Sequence, residues 1–208
     1  MANTFAPFGF SQYSGAGSTP TYEQVEMRIA SNNATAIYFG DPVMPVISTA
    51  NGYITQAAAG TTALAGIFVG CKYLSVAQKR SVWSNYWPGS DANGDVIAYV
   101  VTDPNARFLV QGNSTTFNIS GTLTNWTSSP VGQYAQFAIG TGTTANGISG
   151  AYLNALGTTI TYPFIVTGLV TAPPGANGTD PTVASNYVIV GFNNALTRTN
   201  GAGPTGIS

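Results

Sequence analysis

The stretch Val25-Glu26-Met27-Arg28-Ile29 decides the fold class, because apolar and charged side chains alternate in it at every position. A period of two is typical of a strand with one face in the core and the other in water. Further apolar runs of strand length follow, separated by turn signals such as Gly40-Asp41-Pro42. They are Thr35 to Phe39, Val43 to Ile47, Ala63 to Tyr73, Val96 to Val101 and Ala106 to Gln111. Short strands at close spacing predict a β-barrel or sandwich domain over residues 23–112.

The remainder, residues 113–208, is predicted to be a second β-rich portion with surface loops and a C-terminal tail. Between Gly112 and Ser185 the only charged residue is Asp180, while Gly, Thr and Asn, which form helices poorly, are abundant. The plausible strands are Thr116 to Ser120, Gln133 to Ile139, Thr159 to Val170 and Tyr187 to Phe192. The only helical possibility is a turn or two around Tyr152 to Leu156. The fold class is therefore predicted to be all-β.

Residues 1–22 are predicted to form an extended aromatic arm. Four aromatic residues, Phe5, Phe8, Phe10 and Tyr13, alternate with Pro, Gly and Ser and follow neither a strand nor a helix period. Two interpretations stay open, a disordered tail and an arm that docks on a neighbouring molecule. Disordered segments normally lack aromatic residues, which favours the arm. We predict these four residues as assembly contacts, with strand addition to a neighbour as one mode of docking.

The composition excludes several classes of function. The 208 residues include no histidine and one cysteine, Cys71, so His-based triads, His-bearing zinc sites and an internal disulfide are impossible. A net charge of -1 offers no footprint for nucleic acid or an anionic membrane. No apolar run approaches the roughly 18 residues of a membrane span. The first residues have no basic segment followed by an apolar run, which predicts no secretory signal and synthesis in a cytoplasm.

Two motifs suggest chemistry, and each has a simpler interpretation. The segment Asp91-Ala92-Asn93-Gly94-Asp95 places oxygen donors as in a calcium loop, but Val96 replaces the required Gly and Thr102 the required Glu, which favours an Asn-Gly turn. Lys79-Arg80 lies near Trp83, Tyr86 and Trp87, which could stack nucleic acid or sugar rings. A packed aromatic hairpin or a protein interface is favoured there. We therefore predict no catalytic, cofactor-binding or metal-binding residues.

The scarcity of charge indicates a surface that is covered by other molecules. Charged residues are 6% of the chain, against roughly 25% in ordinary soluble domains. Soluble β-proteins protect strand edges with lysine in particular, and this chain has two, Lys72 and Lys79. We therefore expect a component of a symmetric assembly, whose apolar patches meet its neighbours.

The chain also resembles small β-rich virion proteins of tailed bacteriophages, and among them head decoration (cement) proteins. The resemblance follows the chain in order, through Ala6 to Phe10, Tyr38 to Val43, Ala65 to Tyr73, Tyr86 to Pro88, Asp103 to Gln111, Gly147 to Gly150 and Tyr187 to Asn193. It implies a non-enzymatic virion structural protein, made in the host cytoplasm and placed on the outer capsid surface. There it is expected to form homotrimers that bridge neighbouring major capsid subunits, without a cofactor.

Alternatives to this expectation stay open. A minor head-fibre or tail component would share the composition but occur in few copies. A carbohydrate-binding β-module would use Trp83, Tyr86, Trp87 or Trp126 as stacking platforms.

For the decoration protein, deletion of residues 2–20 is expected to abolish head binding and leave the β-core folded.

Overall fold

The computed structural model describes residues 3–14, 24–46, 52–113, 117–118, 120–122, 125–170 and 182–194. This part of the chain contains fourteen strands and no α-helix. The strands are β1 (Ser11–Ser14), β2 (Gln24–Ile29), β3 (Pro42–Pro45), β4 (Ile54–Gln56), β5 (Gly66–Leu74), β6 (Ser81–Ser84), β7 (Val96–Val101), β8 (Arg107–Gln111), β9 (Ser120–Thr122), β10 (Asn125–Ser128), β11 (Tyr134–Ala138), β12 (Tyr152–Gly157), β13 (Phe164–Leu169) and β14 (Tyr187–Phe192). The predicted all-β class is confirmed.

The strands form two antiparallel sheets that pack together as a sandwich. In the first sheet the order is β2-β7-β5-β3-β4, and β6 pairs with the C-terminal part of β5, Cys71 to Leu74. In the second sheet the order is β1-β8-β14-β13-β11-β12, and β9 and β10 form a separate hairpin. An isolated bridge joins Arg28 on β2 to Tyr53 before β4, at the two ends of the first sheet, and another joins Gly112, just after β8, to Leu153 on the end strand β12 of the second. Both sheets are therefore curled around the side chains that they bury.

The larger core lies on the inner face of the second sheet. Alternate residues of its strands, such as Phe108, Val110, Val188 and Val190, are buried there, as a period of two requires. Residues of the first sheet and its loops, including Ile67 and Val101, join the same core. The two sheets therefore share one apolar layer.

A second core lies within the curled first sheet. It includes Ile29 from β2, Phe68 and Cys71 from β5, and Val96, Ala98 and Val100 from β7. Trp87 closes this core from the segment after β6, and its indole nitrogen donates a hydrogen bond to the Asn33 carbonyl oxygen at 3.2 Å. The predicted alternation in β2 is confirmed at its inner end, where Ile29 is buried and Arg28 is exposed.

Three features differ from the expected organisation. Tyr152–Gly157, where a helical turn was possible, is strand β12, because its backbone pairs with β11 along its whole length. β8, which the sequence placed in the first portion, belongs to the second sheet and pairs with β14. The predicted arm contributes β1 to that sheet, at its edge next to β8.

Candidate functional site

The aromatic arm is part of the protein's own second sheet over the residues described. Strand β1 pairs with β8, where Ser11 faces Leu109 and Gln12 faces Phe108, and the register shifts between Gln12 and Ser14. Strand addition by the arm therefore takes place within the chain. Residues 15–22 of the predicted arm lie outside the described residues.

The four predicted contact residues do not form one cluster. Phe10 is 1% exposed and stacks on Phe164 with 4.4 Å between ring centroids, inside the larger core. Phe8 is half-buried and meets Tyr187 edge to face at 5.7 Å. Phe5 and Tyr13 are 47% and 51% exposed, and Phe5 meets Tyr152 edge to face at 5.1 Å. Because the chain's own core takes up Phe10, Phe5 and Tyr13 are the exposed aromatic side chains in the described part of the arm, residues 3–14.

Gln111 holds the beginning of the arm against the body of the protein. Its side chain is fully buried at the end of β8. The amide nitrogen donates to the carbonyl oxygens of Thr4 at 2.8 Å and Ser185 at 2.9 Å, and the amide oxygen accepts from the Ala6 N–H at 2.8 Å. Because the buried Gln111 amide bonds the backbone of Thr4 and Ala6, it fixes the position of Phe5 between them.

A second anchor lies where the arm crosses the loop before β3. Asp41 is 1% exposed, and its carboxylate accepts hydrogen bonds from the Tyr38 N–H at 2.8 Å, the Gln56 amide at 2.7 Å and the Ser149 hydroxyl at 2.5 Å. The Phe10 N–H donates to the neighbouring Gly40 carbonyl oxygen at 2.9 Å. Burial raises the pKa of Asp41, and the three hydrogen bonds oppose that rise. This anchor joins the two sheets through Gln56 on β4 and Ser149 before β12.

In the calcium-like segment Asp91 to Asp95, the two carboxylates have different partners and do not point toward a common metal site. The Asp91 carboxylate accepts hydrogen bonds from the Ser75 hydroxyl at 2.7 Å and the Ala77 N–H at 2.9 Å, which lower its pKa. Asp95 pairs with the Arg28 guanidinium at 3.3 Å and accepts from the Tyr53 hydroxyl at 3.0 Å. In the described part of the chain no group of three or more acidic, cysteine or histidine side chains could hold a metal ion. The segment thus acts as a turn that connects β5, β6 and β7.

The aromatic residues after Lys79-Arg80 have three different environments. Trp87 is fully buried, and Tyr86 is half-buried against Tyr38, with ring planes 6° apart and centroids 5.5 Å apart. Trp83 is 66% exposed. The side chain of Trp126 lies outside what the structure describes. Of the predicted stacking platforms that can be located, Trp83 is the one that presents its ring to solvent.

Sequence reasoning missed two neighbours of Trp83. Tyr99 on β7 stacks beside it with ring planes 6° apart and centroids 5.7 Å apart. The Lys72 ammonium on β5 lies 4.9 Å from the centre of the Trp83 ring, a cation–π contact. The signal that could have found them is strand pairing, since Trp83 faces Lys72 and Tyr99 faces Gly70 in the register of β6, β5 and β7.

Cys71 is a buried core residue. It lies within the first sheet, 1% exposed, with its thiol 3.5 Å from the Tyr86 carbonyl oxygen. Burial raises the pKa of the thiol to about 12, so the reactive thiolate is not formed at neutral pH.

Within the same described ranges, the structure also has no helix with the length and apolar character that a bilayer crossing requires.

The fold and these surfaces define the chain as an antiparallel all-β sandwich with an integrated N-terminal strand. We found no family model, no curated protein and no solved structure that matches the chain.

Proposed function

We propose that the chain is a non-enzymatic structural protein of a tailed-phage virion, which decorates the outer face of the capsid and bridges neighbouring major capsid subunits. The observation that carries the proposal is the exposure of large apolar side chains on a surface with very little charge. Phe5, Tyr13 and Trp83 are all among the exposed large hydrophobic residues. Aromatic residues that are exposed in the monomer are typical of contact surfaces.

The few charged groups leave most of this surface neutral. Asp41 and Asp103 are buried, and Arg28 is paired with Asp95. A neutral surface is not held away from other copies by electrostatic repulsion, and association costs little desolvation of charge. This supports assembly into homotrimers and attachment to the capsid.

The arm supplies the candidate contact region. Gln111 fixes its start and Phe10 fixes its middle, so Phe5 and Tyr13 are held on a rigid segment. A rigid contact loses little conformational entropy when it binds. In this proposal Phe5 and Tyr13 face a neighbouring subunit, while Phe10 serves the internal core.

A minor head-fibre or tail component is the second candidate for the same surface. It would use the same neutral, aromatic contacts but occupy a few sites in the particle. Copy number separates the two candidates, because decoration requires a copy at sites all over the head.

The experiment that tests the capsid contact is co-sedimentation of the purified protein with capsids of the same phage that lack it. Tyr13→Asp places a charge on the exposed arm without touching the core, and we expect it to abolish co-sedimentation and leave the melting temperature nearly unchanged. Ile160→Asp is the matched control, because Ile160 is also highly exposed but lies outside the arm. Equal binding of both variants and the native protein would contradict the proposed contact.

A further inference from the structure

The outer face of the first sheet carries a built aromatic platform at Trp83. Strands β6 and β7 lie on either side of β5, and Tyr99 faces Gly70 in their register. Because Gly70 has no side chain, the two rings meet across β5, 5.7 Å apart and nearly parallel. Trp83 is 66% exposed even so, although the chain buries Trp87 completely a few residues later. Covering an exposed indole ring removes apolar area from water, which favours the binding of a molecule with an apolar face.

A depression of about 310 Å³ lies beside this platform. Its lining includes the two aromatic residues Trp83 and Tyr99 and the polar residue Asn85. The Asn85 amide nitrogen donates to the Asn146 carbonyl oxygen at 2.5 Å, which fixes the amide plane. The same amide packs against Gly147, which has no side chain to displace it. Ligand sites typically combine an apolar wall with a few fixed polar groups in this way.

We propose that this platform binds a neutral pyranose sugar, a binding activity beyond the proposed role in the capsid. One face of a pyranose ring presents C–H groups, which pack on the flat Trp83 ring, while its hydroxyls lie at the ring edge. Asn85 also lines the depression, and its amide is the side-chain polar group offered to those hydroxyls. The lining of the depression contains no acidic or basic side chain, and Lys72 lies against the Trp83 ring.

A nucleic acid base would also stack on Trp83, but the charge of the site opposes it. Each bound phosphate requires a cation, and Lys72 is the basic group at the platform. Arg80 points elsewhere, since its guanidinium donates to the Gln78 amide oxygen at 2.9 Å and 3.0 Å. The observations therefore favour the sugar.

The test is a titration of the full chain with four hexasaccharides, made of glucose, mannose, galactose or N-acetylglucosamine. Binding is followed by tryptophan fluorescence and by saturation-transfer NMR. We expect at least one of them to bind and to quench or shift the emission of Trp83, with sugar ring protons saturated from the aromatic resonances.

Variants assign the binding to the platform. Trp83→Ala is expected to weaken binding by about tenfold or more, and Trp83→Phe to restore part of it. Asn85→Ala is expected to weaken binding without changing the melting temperature. Val131→Ala, at another exposed apolar residue, is the control and should bind like the native protein. Absence of binding by all four hexasaccharides, or binding that Trp83→Ala does not change, would overturn the proposal.

Discussion

Phe10 shows most clearly how one side chain can change role between sequence and structure. The sequence places it in an arm with Phe5, Phe8 and Tyr13, and nothing in a Phe-Gly-Phe pattern distinguishes a contact residue from a core residue. The structure places its ring among Phe108, Phe137 and Phe164. These three rings lie on strands more than ninety residues further along the chain, so the local sequence around Phe10 cannot predict its burial.

The first prediction follows from this burial. Phe10→Ala is expected to lower the free energy of unfolding by about 3–5 kcal/mol, because it leaves a cavity in the larger core. Phe5→Ala removes an equal ring from an exposed site and should cost far less. Urea unfolding followed by near-ultraviolet circular dichroism measures both. Equal losses for the two variants would contradict the different roles assigned to them.

Asp41 gives a prediction on pH. Burial raises its pKa above the usual 3.8, so the folded protein binds this proton more tightly than the unfolded chain does. Its contribution to the free energy of unfolding is therefore largest below the unfolded pKa and falls as the pH rises through the folded pKa. Asn does not titrate, so the stability of the native protein relative to Asp41→Asn should fall as the pH rises above the unfolded value of 3.8.

Asp91 is the control with the opposite sign. Its pKa is lowered by hydrogen bonds from Ala77 and Ser75, so its contribution is present above the unfolded pKa and is lost as the pH falls through the folded pKa. The stability of the native protein relative to Asp91→Asn should therefore rise as the pH increases up to the unfolded value of 3.8, and stay level above it. Thermal unfolding across the pH series measures both differences. Slopes of the same sign would contradict the assigned environments.

At the scale of the elements, the sequence predicts many of the strands but not their partners, and the predicted strand Thr35 to Phe39 forms only isolated bridges at Ile37 and Phe39. Alternation in β2 and the apolar run of β7 are local signals, and both strands form. β12 shows no strong strand pattern in Tyr152-Leu153-Asn154-Ala155-Leu156, and it becomes a strand through its pairing with β11. The platform at Trp83 is likewise assembled from three strands. The sequence identifies its central residue, Trp83, as a candidate, but that Tyr99 and Lys72 lie beside it follows only from the pairing register of β6 and β7 with β5.

The crossing of the arm over the Asp41 loop can be tested with two glycines. Gly9 has φ +76°, and a Cβ there would lie 2.6 Å from the Ser149 Cβ and 2.9 Å from the Gly40 carbonyl oxygen. Gly94 has φ +90° and open space around it. Both Gly→Ala changes strain the backbone, by about 1–2 kcal/mol. Gly9→Ala should cost about 1–3 kcal/mol more, because its neighbours must also move apart.

Urea denaturation of the two variants gives this difference directly, since the shared backbone strain cancels. If Gly94→Ala proved as damaging as Gly9→Ala, the close approach of the arm to Ser149 would not exist in solution.

The structure also changes what removal of the arm should do. Deletion of residues 2–20 takes away strand β1, the Phe10 ring and two of the three hydrogen-bond partners of the Gln111 side chain, Thr4 and Ala6. We therefore expect the truncated protein to be strongly destabilised, and not to keep the intact β-core that the sequence alone led us to expect. Circular dichroism and thermal unfolding of the truncated chain check this. A truncated protein with native stability would contradict the integration of the arm.

At the scale of the whole molecule, a neutral surface with exposed aromatic residues predicts self-association. We expect the purified protein to be a trimer by native mass spectrometry and sedimentation velocity. Raised salt should not dissociate it, since the contacts are apolar and ions do not screen them. A monomer at all concentrations would remove the support for a symmetric assembly.

The proposed role in the capsid is tested most directly by the copy number of the protein in purified virions. Quantitative mass spectrometry against the major capsid protein measures it. The account predicts about one copy for each major capsid subunit, as attachment over a symmetric shell requires. A few copies per particle would instead indicate a fibre or tail component, and absence from the particle would contradict the structural role altogether.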